Sequence, residues 1–298
     1  MNLFFDDETI PCFRPPSEAN SFILRLTRGC AHNKCTYCNM YREVQFSILK
    51  DEEISRQIAL AANYKDQIRR IFLADGDALV LSTDKLLKIL NILSETFPNL
   101  ERVSTYAAPK DMLRKNIEEL KALKNAGLKL FYYGMETGDD ETLKAINKGV
   151  NAEESIEAGH KTVEAGITLS IMIILGIAGT ENSERHALAT ANALNIIKPN
   201  MLSALSLMLY RGSELKEQFE RGEFHPLPPA GLMRELEIII KNLNLPQNYG
   251  TLFRSNHYSN YINFRATLPD DKERLLKEIN IARQELSKMK NYDVYNFY

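Results

Sequence analysis

The stretch of sequence that decides the fold lies near the N-terminus, at residues 21–43, and reads SFILRLTRGCAHNKCTYCNMYRE. Its first seven residues form a largely apolar run, which predicts a buried strand. The cysteines that follow are Cys30, Cys35 and Cys38, with the spacing C-x4-C-x2-C. Thiolates spaced this tightly suit an iron–sulfur cluster, because one loop can wrap around it. Three such ligands would leave one iron of a four-iron cluster open to another molecule.

The cysteine loop alone leaves two other interpretations open. His32 lies inside the loop, so a Cys3His zinc site is chemically feasible, and three unrelated buried thiols are the other alternative. The chain has only 4 cysteines in 298 residues, which is a poor disulfide framework and favours metal binding in a reducing compartment. Cys12, which lies between prolines, is expected to be a buried structural thiol.

Strands and helices alternate beyond the loop. Apolar runs predict strands at 21–27, 70–74, 102–106, 129–134, 168–175 and 201–209. Apolar positions at helical spacing predict helices at 51–64, 83–96, 110–125, 139–147, 152–165 and 182–197. This order implies a parallel sheet with right-handed crossovers, and six units predict an α/β fold, a partial (β/α)6 TIM-like barrel. Active sites of such barrels lie at the carboxyl ends of the strands.

The alternation stops after residue 210. A proline-rich stretch at 225–229 is typical of a linker, and helices are predicted at 230–243 and 270–290. Three parts are therefore expected: an N-terminal extension at 1–20, a core at 21–210, and a mostly helical C-terminal extension at 211–298 that covers the barrel mouth.

The composition indicates an ordinary folded protein, with 44% hydrophobic and 26% charged residues. A formal net charge of -2 argues against general electrostatic binding of nucleic acid. The longest apolar candidate, 169–177, is too short for a membrane helix, so no membrane partner is expected. Acidic residues near the N-terminus, where a signal peptide carries basic ones, favour a cytoplasmic location.

The loop resembles the signature of the radical S-adenosylmethionine (SAM) superfamily, usually C-x3-C-x2-C with an aromatic residue before the last cysteine. Tyr37 occupies the aromatic position, and one extra residue separates Cys30 from Cys35. The resemblance is to the branch shared by the Elongator catalytic subunit, tRNA methylthiotransferases and oxygen-independent coproporphyrinogen oxidase. It implies that the three cysteines hold a [4Fe–4S] cluster and that SAM binds the open iron.

Further matches follow at the ends of later strands. Asp75, Gly76 and Asp77 form a sequence similar to the GGE motif, which holds the methionyl amine of SAM in the family. The segment FYYGMETGDDETLKAINKG at 131–149 resembles the branch's GxExG…L…I.KG pattern. This resemblance implies that Glu136 binds SAM through its ribose or amine; a salt-bridged strand-end glutamate is the alternative.

Two strand ends carry weaker matches. Ile174 and Gly176 match the adenine-facing GxIxG pattern, although Met172 replaces its first glycine, and a plain strand-to-turn junction is the alternative. Ser104 should point into the barrel if the strand alternates as expected, where it would face the cofactor or fill the core.

The resemblance implies the reaction in outline. A reductant such as flavodoxin or ferredoxin supplies an electron, the cluster passes it to SAM, and the 5′-deoxyadenosyl radical formed abstracts hydrogen from an unidentified small-molecule or peptide substrate. Such a cluster is expected to be oxygen-sensitive. RNA modification is a less favoured alternative, because the chain is slightly acidic and carries no obvious RNA-binding module. A non-catalytic zinc-binding βα protein is the other.

The polar segment FRSNHYSNYINF, at 253–264, is the best indication of a substrate site. So many polar groups cost free energy if they are buried without hydrogen-bond partners. A lid over the barrel mouth would give them such partners. His257, as a proton donor or acceptor, and Tyr258 are the candidate catalytic residues. A solvated loop is the alternative.

Overall fold

A computed structural model describes residues 11–288 of the chain. The first half of the predicted N-terminal extension, 1–10, lies outside the described residues. So do residues 289–298, which include the last two positions of the helix predicted at 270–290. The chain divides into two compact units, which are described separately below.

Among the described residues, the first unit comprises 11–33, Met40–Tyr133 and Lys161–Leu169. Its strands are β1 (Phe22–Arg25), β2 (Thr27–Arg28), β3 (Ser47–Ile48), β4 (Arg70–Ala74), β5 (Arg102–Tyr106) and β6 (Leu128–Glu136), whose end belongs to the second unit. Its helices are α1 (Asp51–Ala61), α2 (Thr83–Thr96), α3 (Pro109–Arg114) and α4 (Ile117–Asn125). Strands β1, β4, β5 and β6 pair in parallel in that order, while β2 pairs antiparallel with β3.

The helices of this unit start and end where the local sequence dictates. The Ser82 side chain accepts a hydrogen bond from the Lys85 amide and so caps α2. Helix α2 buries Leu86, Ile89, Leu90 and Leu93, at the i, i+3, i+4 and i+7 positions of one apolar face. Gly127, with a φ of 109°, follows α4 in the left-handed region, which glycine adopts without strain.

The helix predicted at 110–125 is two helices, α3 and α4. Lys115 has extended backbone between them, and its ammonium donates to the carbonyl of Leu81 at 2.8 Å. Asn116 then forms a capping box with Glu119 and starts α4. A strong capping residue inside a helical pattern therefore divides it, because its side chain competes with the helix for backbone hydrogen bonds.

Among the described residues, the second unit comprises Lys34–Asn39, Gly134–His160 and 170–288. Its strands are β7 (Thr168–Leu175), whose first two residues belong to the first unit, β8 (Met201–Ser206), β9 (Thr251–Arg254) and β10 (Arg265–Leu268). Its helices are α5 (Asp140–Ala145), α6 (Ala152–Glu164), whose end belongs to the first unit, α7 (Gly179–Ile197), α8 (Glu214–Glu220), α9 (Pro229–Asn242) and α10 (Lys272–Leu286). Strand β8 pairs in parallel with both β7 and β9, and β10 is antiparallel to β9. Helix α9 packs against α7 and α10.

All six predicted core strands are present, and the parallel pairs alternate with helices, so the predicted α/β class is confirmed. Strands β9 and β10 were not expected within the mostly helical extension. Each has only four residues, too few for a clear alternating pattern in a polar segment. The division at residues 20 and 210 remains a prediction. No helix within 11–288 is long and apolar enough to span a bilayer.

Candidate functional site

Asp75 follows β4 and is fully buried in the first unit. Its Oδ2 accepts a hydrogen bond from the Gly29 amide at 3.2 Å and lies 3.8 Å from Nε of Arg25. The Tyr41 hydroxyl donates to its other oxygen. A buried carboxylate is stable only with such partners. The Asp75 side chain therefore ties the residue before Cys30 to the end of β4.

Gly76 lies against Cys30. Its amide donates to the carbonyl of Gly29 at 3.2 Å. A Cβ built at Gly76 would lie 3.1 Å from Cβ of Cys30 and 3.1 Å from the Tyr41 ring. These distances are tighter than most Cβ contacts, so an added methyl group would push Cys30 or Tyr41 away by a few tenths of an ångström, and glycine permits the close backbone approach. The backbone predicted to receive the methionyl amine therefore lies beside the first cysteine.

Asp77 is buried next to a second carboxyl, that of Asp111. Burial, followed by the hydrogen bond and the charge of Asp111, raises the pKa of Asp77 well above its ordinary value. Within the part of the chain that the structure describes, Oδ1 of Asp77 is buried without a hydrogen-bond partner. A cationic group would satisfy this oxygen and lower the cost of burying the carboxylate. The Asp77 environment therefore fits the predicted ammonium.

Ser104 is fully buried in β5, and its hydroxyl donates to the carbonyl of Ile71 at 3.3 Å. This contact within the sheet favours the packing interpretation, and contact with the cofactor remains a prediction. Cys12, predicted to be a buried thiol, is only partly buried. Burial raises the pKa of its thiol, and the nearby Asp75 charge adds to the rise.

Glu136 is the last residue of β6 and belongs to the second unit. Its carboxylate Oε1 accepts hydrogen bonds from the Tyr37 hydroxyl at 2.9 Å and from Nζ of Lys148 at 2.8 Å. Its φ of 65° is in the left-handed region, which a non-glycine residue occupies only where its surroundings determine it. The carboxylate is therefore fixed beside the aromatic residue of the cysteine loop.

Gly134 makes room for this carboxylate. A Cβ built at Gly134 would clash with Oε1 of Glu136 and would lie 3.2 Å from its Cδ. This clash explains why glycine stands two positions before the glutamate in the GxE pattern.

Tyr37 packs against a buried apolar cluster. The members of this cluster are Ile146, Ile174, Ile177, Leu207, Leu209 and Leu215. Burial, followed by the charges of Glu136, Cys35 and Cys38, raises the pKa of Tyr37 well above its ordinary value. The hydroxyl consequently stays protonated and can donate to Glu136. The second unit thus brings together Tyr37, Glu136 and the predicted adenine-side Ile174.

Gly176 forms the turn after β7 with a φ of 82°. Its amide donates to Oε1 of Glu235 at 2.6 Å, and a Cβ built at Gly176 would lie 2.8 Å from the Leu232 side chain. Both partners are on α9. The predicted adenine-facing turn is therefore held from the C-terminal part of the chain.

Three residues at these sites were not predicted from the sequence: Lys148, His186 and Glu235. Lys148 belongs to the I.KG part of the quoted motif, which was a usable signal for it. His186 and Glu235 are fully buried and lie 3.4 Å apart on α7 and α9. Nothing in the periodicity of either helix marks them, because their pairing is long-range.

The segment around His257 meets the carboxyl end of β8. The Ser206 amide donates to the Ser259 hydroxyl at 3.1 Å, and the Ser206 hydroxyl donates to Oδ1 of Asn260 at 2.8 Å. The His257 ring lies 4.2 Å from that of Tyr258 and is hydrogen-bonded to Ser259 at 2.8 Å. Burial lowers the pKa of His257, so the ring is neutral at pH 7.

Tyr258 is mostly exposed, and its hydroxyl lies 3.2 Å from that of Tyr210. Burial raises the pKa of Tyr210, with smaller contributions from Tyr258 and from the charge of Cys38. Both candidate catalytic residues therefore lie at a strand end, in the same unit as Cys35 and Cys38.

The predicted residues thus form two groups. The first unit contains Cys30 with Asp75, Gly76, Asp77 and Ser104, and the second contains Cys35, Cys38, Tyr37, Glu136, Ile174, Gly176, His257 and Tyr258. All the cysteines are free thiols and partly buried. Among residues 11–288, no three His, Cys, Asp or Glu side chains are gathered as ligands of a single metal ion.

The chain is similar to known proteins in sequence and in structure. The model of the family described as the Radical SAM superfamily matches residues 24–190. The heme chaperone HemW of Bacillus subtilis is 23% identical over 225 residues, covering 72% of this chain and 57% of HemW. Coproporphyrinogen III oxidase (HemN) of Escherichia coli, described as a radical SAM enzyme, has a TM-score of 0.56 at 14% identity, covering 74% of this chain and 52% of HemN. Methylornithine synthase (PylB) has a TM-score of 0.53 at 15% identity, covering 91% and 82%.

These likenesses confirm the predicted TIM-like fold. The chain spans 57% of the length of HemW, and the three relatives are named for three different activities.

Proposed function

The chain belongs to the radical SAM superfamily, whose enzymes use a [4Fe–4S] cluster and SAM, and from this premise we propose that Cys30, Cys35 and Cys38 hold the cluster. The enzyme would then abstract hydrogen from a small-molecule or peptide substrate. When bound and reduced, the cluster supplies the electron that cleaves SAM to methionine and a 5′-deoxyadenosyl radical.

The observation that carries this proposal is the approach of Gly76 to Cys30. A strand-end backbone with little room for a side chain lies beside a cysteine of the motif, and the next residue, Asp77, has a buried oxygen without a partner among the described residues. Both features suit a ligand with an amino group at the cluster. A buried structural turn would need neither.

The chain's own residues would bind and orient SAM. Backbone groups at Asp75 and Gly76, with the Asp77 carboxyl, would hold the amine. Glu136, held by Tyr37 and Lys148, would accept from the ribose hydroxyls or the amine, and Ile174 and Gly176 would contact adenine.

His257 and Tyr258 would lie on the substrate side. Their position at the end of β8 and the Tyr258–Tyr210 contact support this role. Because His257 is neutral at pH 7, it could accept a proton from the substrate. An electron donor such as flavodoxin or ferredoxin would complete the system.

The test replaces each cysteine of the motif singly by alanine, with Cys12→Ala as the matched control. Anaerobically reconstituted protein is assayed for iron, labile sulfide and 5′-deoxyadenosine. Each motif variant should lose the cluster and SAM cleavage, while the Cys12 variant should keep both. Full iron content and cleavage in any motif variant would refute the assignment.

Haem binding is a second candidate, favoured by the similarity to HemW. Titration of the protein with haem, followed by visible absorbance, tests it directly. Stoichiometric haem binding without SAM-dependent turnover of any small molecule or peptide would favour this candidate over the first.

A further inference from the structure

Glu235 is a carboxylate on α9 that has no role in the proposed function. It is fully buried, and its Oε1 accepts from the Gly176 amide at 2.6 Å. Its Oε2 accepts from the Ser183 hydroxyl at 2.5 Å. Burying a carboxylate is costly unless its oxygens accept hydrogen bonds. The Glu235 carboxylate therefore holds the Gly176 amide and the Ser183 hydroxyl in place.

His186 extends these contacts to the other predicted SAM-binding turn. Its Nδ1 shares a hydrogen bond of 2.7 Å with the hydroxyl of Thr137, and its Nε2 lies 3.4 Å from Oε1 of Glu235 without forming a hydrogen bond within the described residues. Thr137 directly follows Glu136. The His186 ring and the Glu235 carboxylate therefore lie side by side between the turn after β6 and the turn after β7, and each is hydrogen-bonded to one of these turns.

We infer that Glu235 is a positioning residue for SAM, which acts with His186 to hold the Glu136 turn and the Gly176 turn at a fixed separation. The inference rests on the proposed function, because it needs SAM at these two turns. The physical basis is preorganisation: a turn held by a buried acceptor does not have to be ordered when the ligand binds.

Glu235 lies far along the chain from the predicted SAM-binding residues. It lies outside the 24–190 match to the family model and on a helix of the C-terminal extension. Without α9, the Gly176 amide would lose this acceptor, and the Leu232 side chain would no longer pack on the turn. The extension would therefore contribute to cofactor affinity.

The experiment measures the Kd for SAM by equilibrium dialysis on reconstituted, unreduced protein. Glu235→Ala removes the acceptor, and Glu235→Gln retains an oxygen for the Gly176 amide. The matched control is Glu237→Ala on the same helix, because Glu237 pairs with Arg283 at 2.7 Å and does not contact the turn. The KM for SAM and kcat are measured alongside, and melting temperatures verify folding.

We expect Glu235→Ala to raise the Kd and the KM for SAM about tenfold with kcat changed less than about twofold. Glu235→Gln should restore affinity to within about threefold of wild type, and Glu237→Ala should leave it unchanged. If Glu235→Ala does not fold, Ser183→Ala decides, since it removes one anchor of the carboxylate. It should raise the Kd about threefold.

Two results would overturn the inference alone. One is wild-type SAM affinity in folded Glu235→Ala, or in Ser183→Ala where that variant decides. The other is a Glu235→Gln variant that binds SAM as weakly as Glu235→Ala does. Wild-type protein that neither binds nor cleaves SAM would instead overturn the proposed function, and this inference with it.

Discussion

Gly134→Ala should be costly although it adds a single methyl group. Its Cβ would clash with Oε1 of Glu136, so the carboxylate must shift away from the Tyr37 hydroxyl and the Lys148 ammonium. Only 7% of Glu136 is exposed, so water replaces these contacts poorly. Hydrogen bonds to charged groups contribute about 1.5–3 kcal/mol, and we expect the free energy of unfolding to fall by about 2 kcal/mol.

The assay is urea denaturation of a double-mutant cycle. Gly134→Ala is measured in the wild-type chain and again in a Glu136→Ala background, where the carboxylate that it displaces is absent. We expect a coupling energy of about 2 kcal/mol between the two positions. If Gly134→Ala costs the same in both backgrounds, the steric argument for the GxE glycine is wrong.

Three other perturbations have definite expected outcomes. Tyr37→Phe removes the hydroxyl donor to Glu136 and should raise the Kd for SAM about fivefold, equivalent to about 1 kcal/mol, by equilibrium dialysis. The raised pKa of Asp77 means that the folded state holds its proton more tightly than the unfolded state. Stability should therefore decrease as pH rises above about 4, and Asp77→Asn should flatten that part of a denaturation-versus-pH curve. Glu18, fully buried, accepts from Tyr132 at 2.6 Å and from Arg102 at 2.8 Å. Glu18→Ala should lower the free energy of unfolding by about 3 kcal/mol, whereas Glu101→Ala, which breaks an exposed pair with Arg69, should cost less than about 1 kcal/mol.

Local signals were enough to predict the strand–helix order from the sequence. The apolar runs marked all six core strands, because an apolar run acts within a few residues. The same local view failed at Lys115 and Asn116, where an internal cap divides a continuous apolar pattern.

The site was predictable only where motif residues are close in sequence to the chemistry. The sequence identified Glu136 but could not show that Lys148 and Tyr37 converge on one of its oxygens. The contact between Gly176 and Glu235 joins residues 59 positions apart, and no periodicity encodes such a pairing. Long-range polar partners therefore require the structure.

The pairing of β9 with β8 has a consequence for how the chain is made. Strand β8 ends at Ser206, and the strand that covers its outer edge begins only at Thr251. While the ribosome synthesises the intervening residues, that edge has unpaired backbone donors and acceptors, which are a template for pairing with other chains. A truncated protein that stops after residue 210 would keep this edge permanently open and should aggregate. Strand β9 therefore protects the edge of the nascent sheet from intermolecular association.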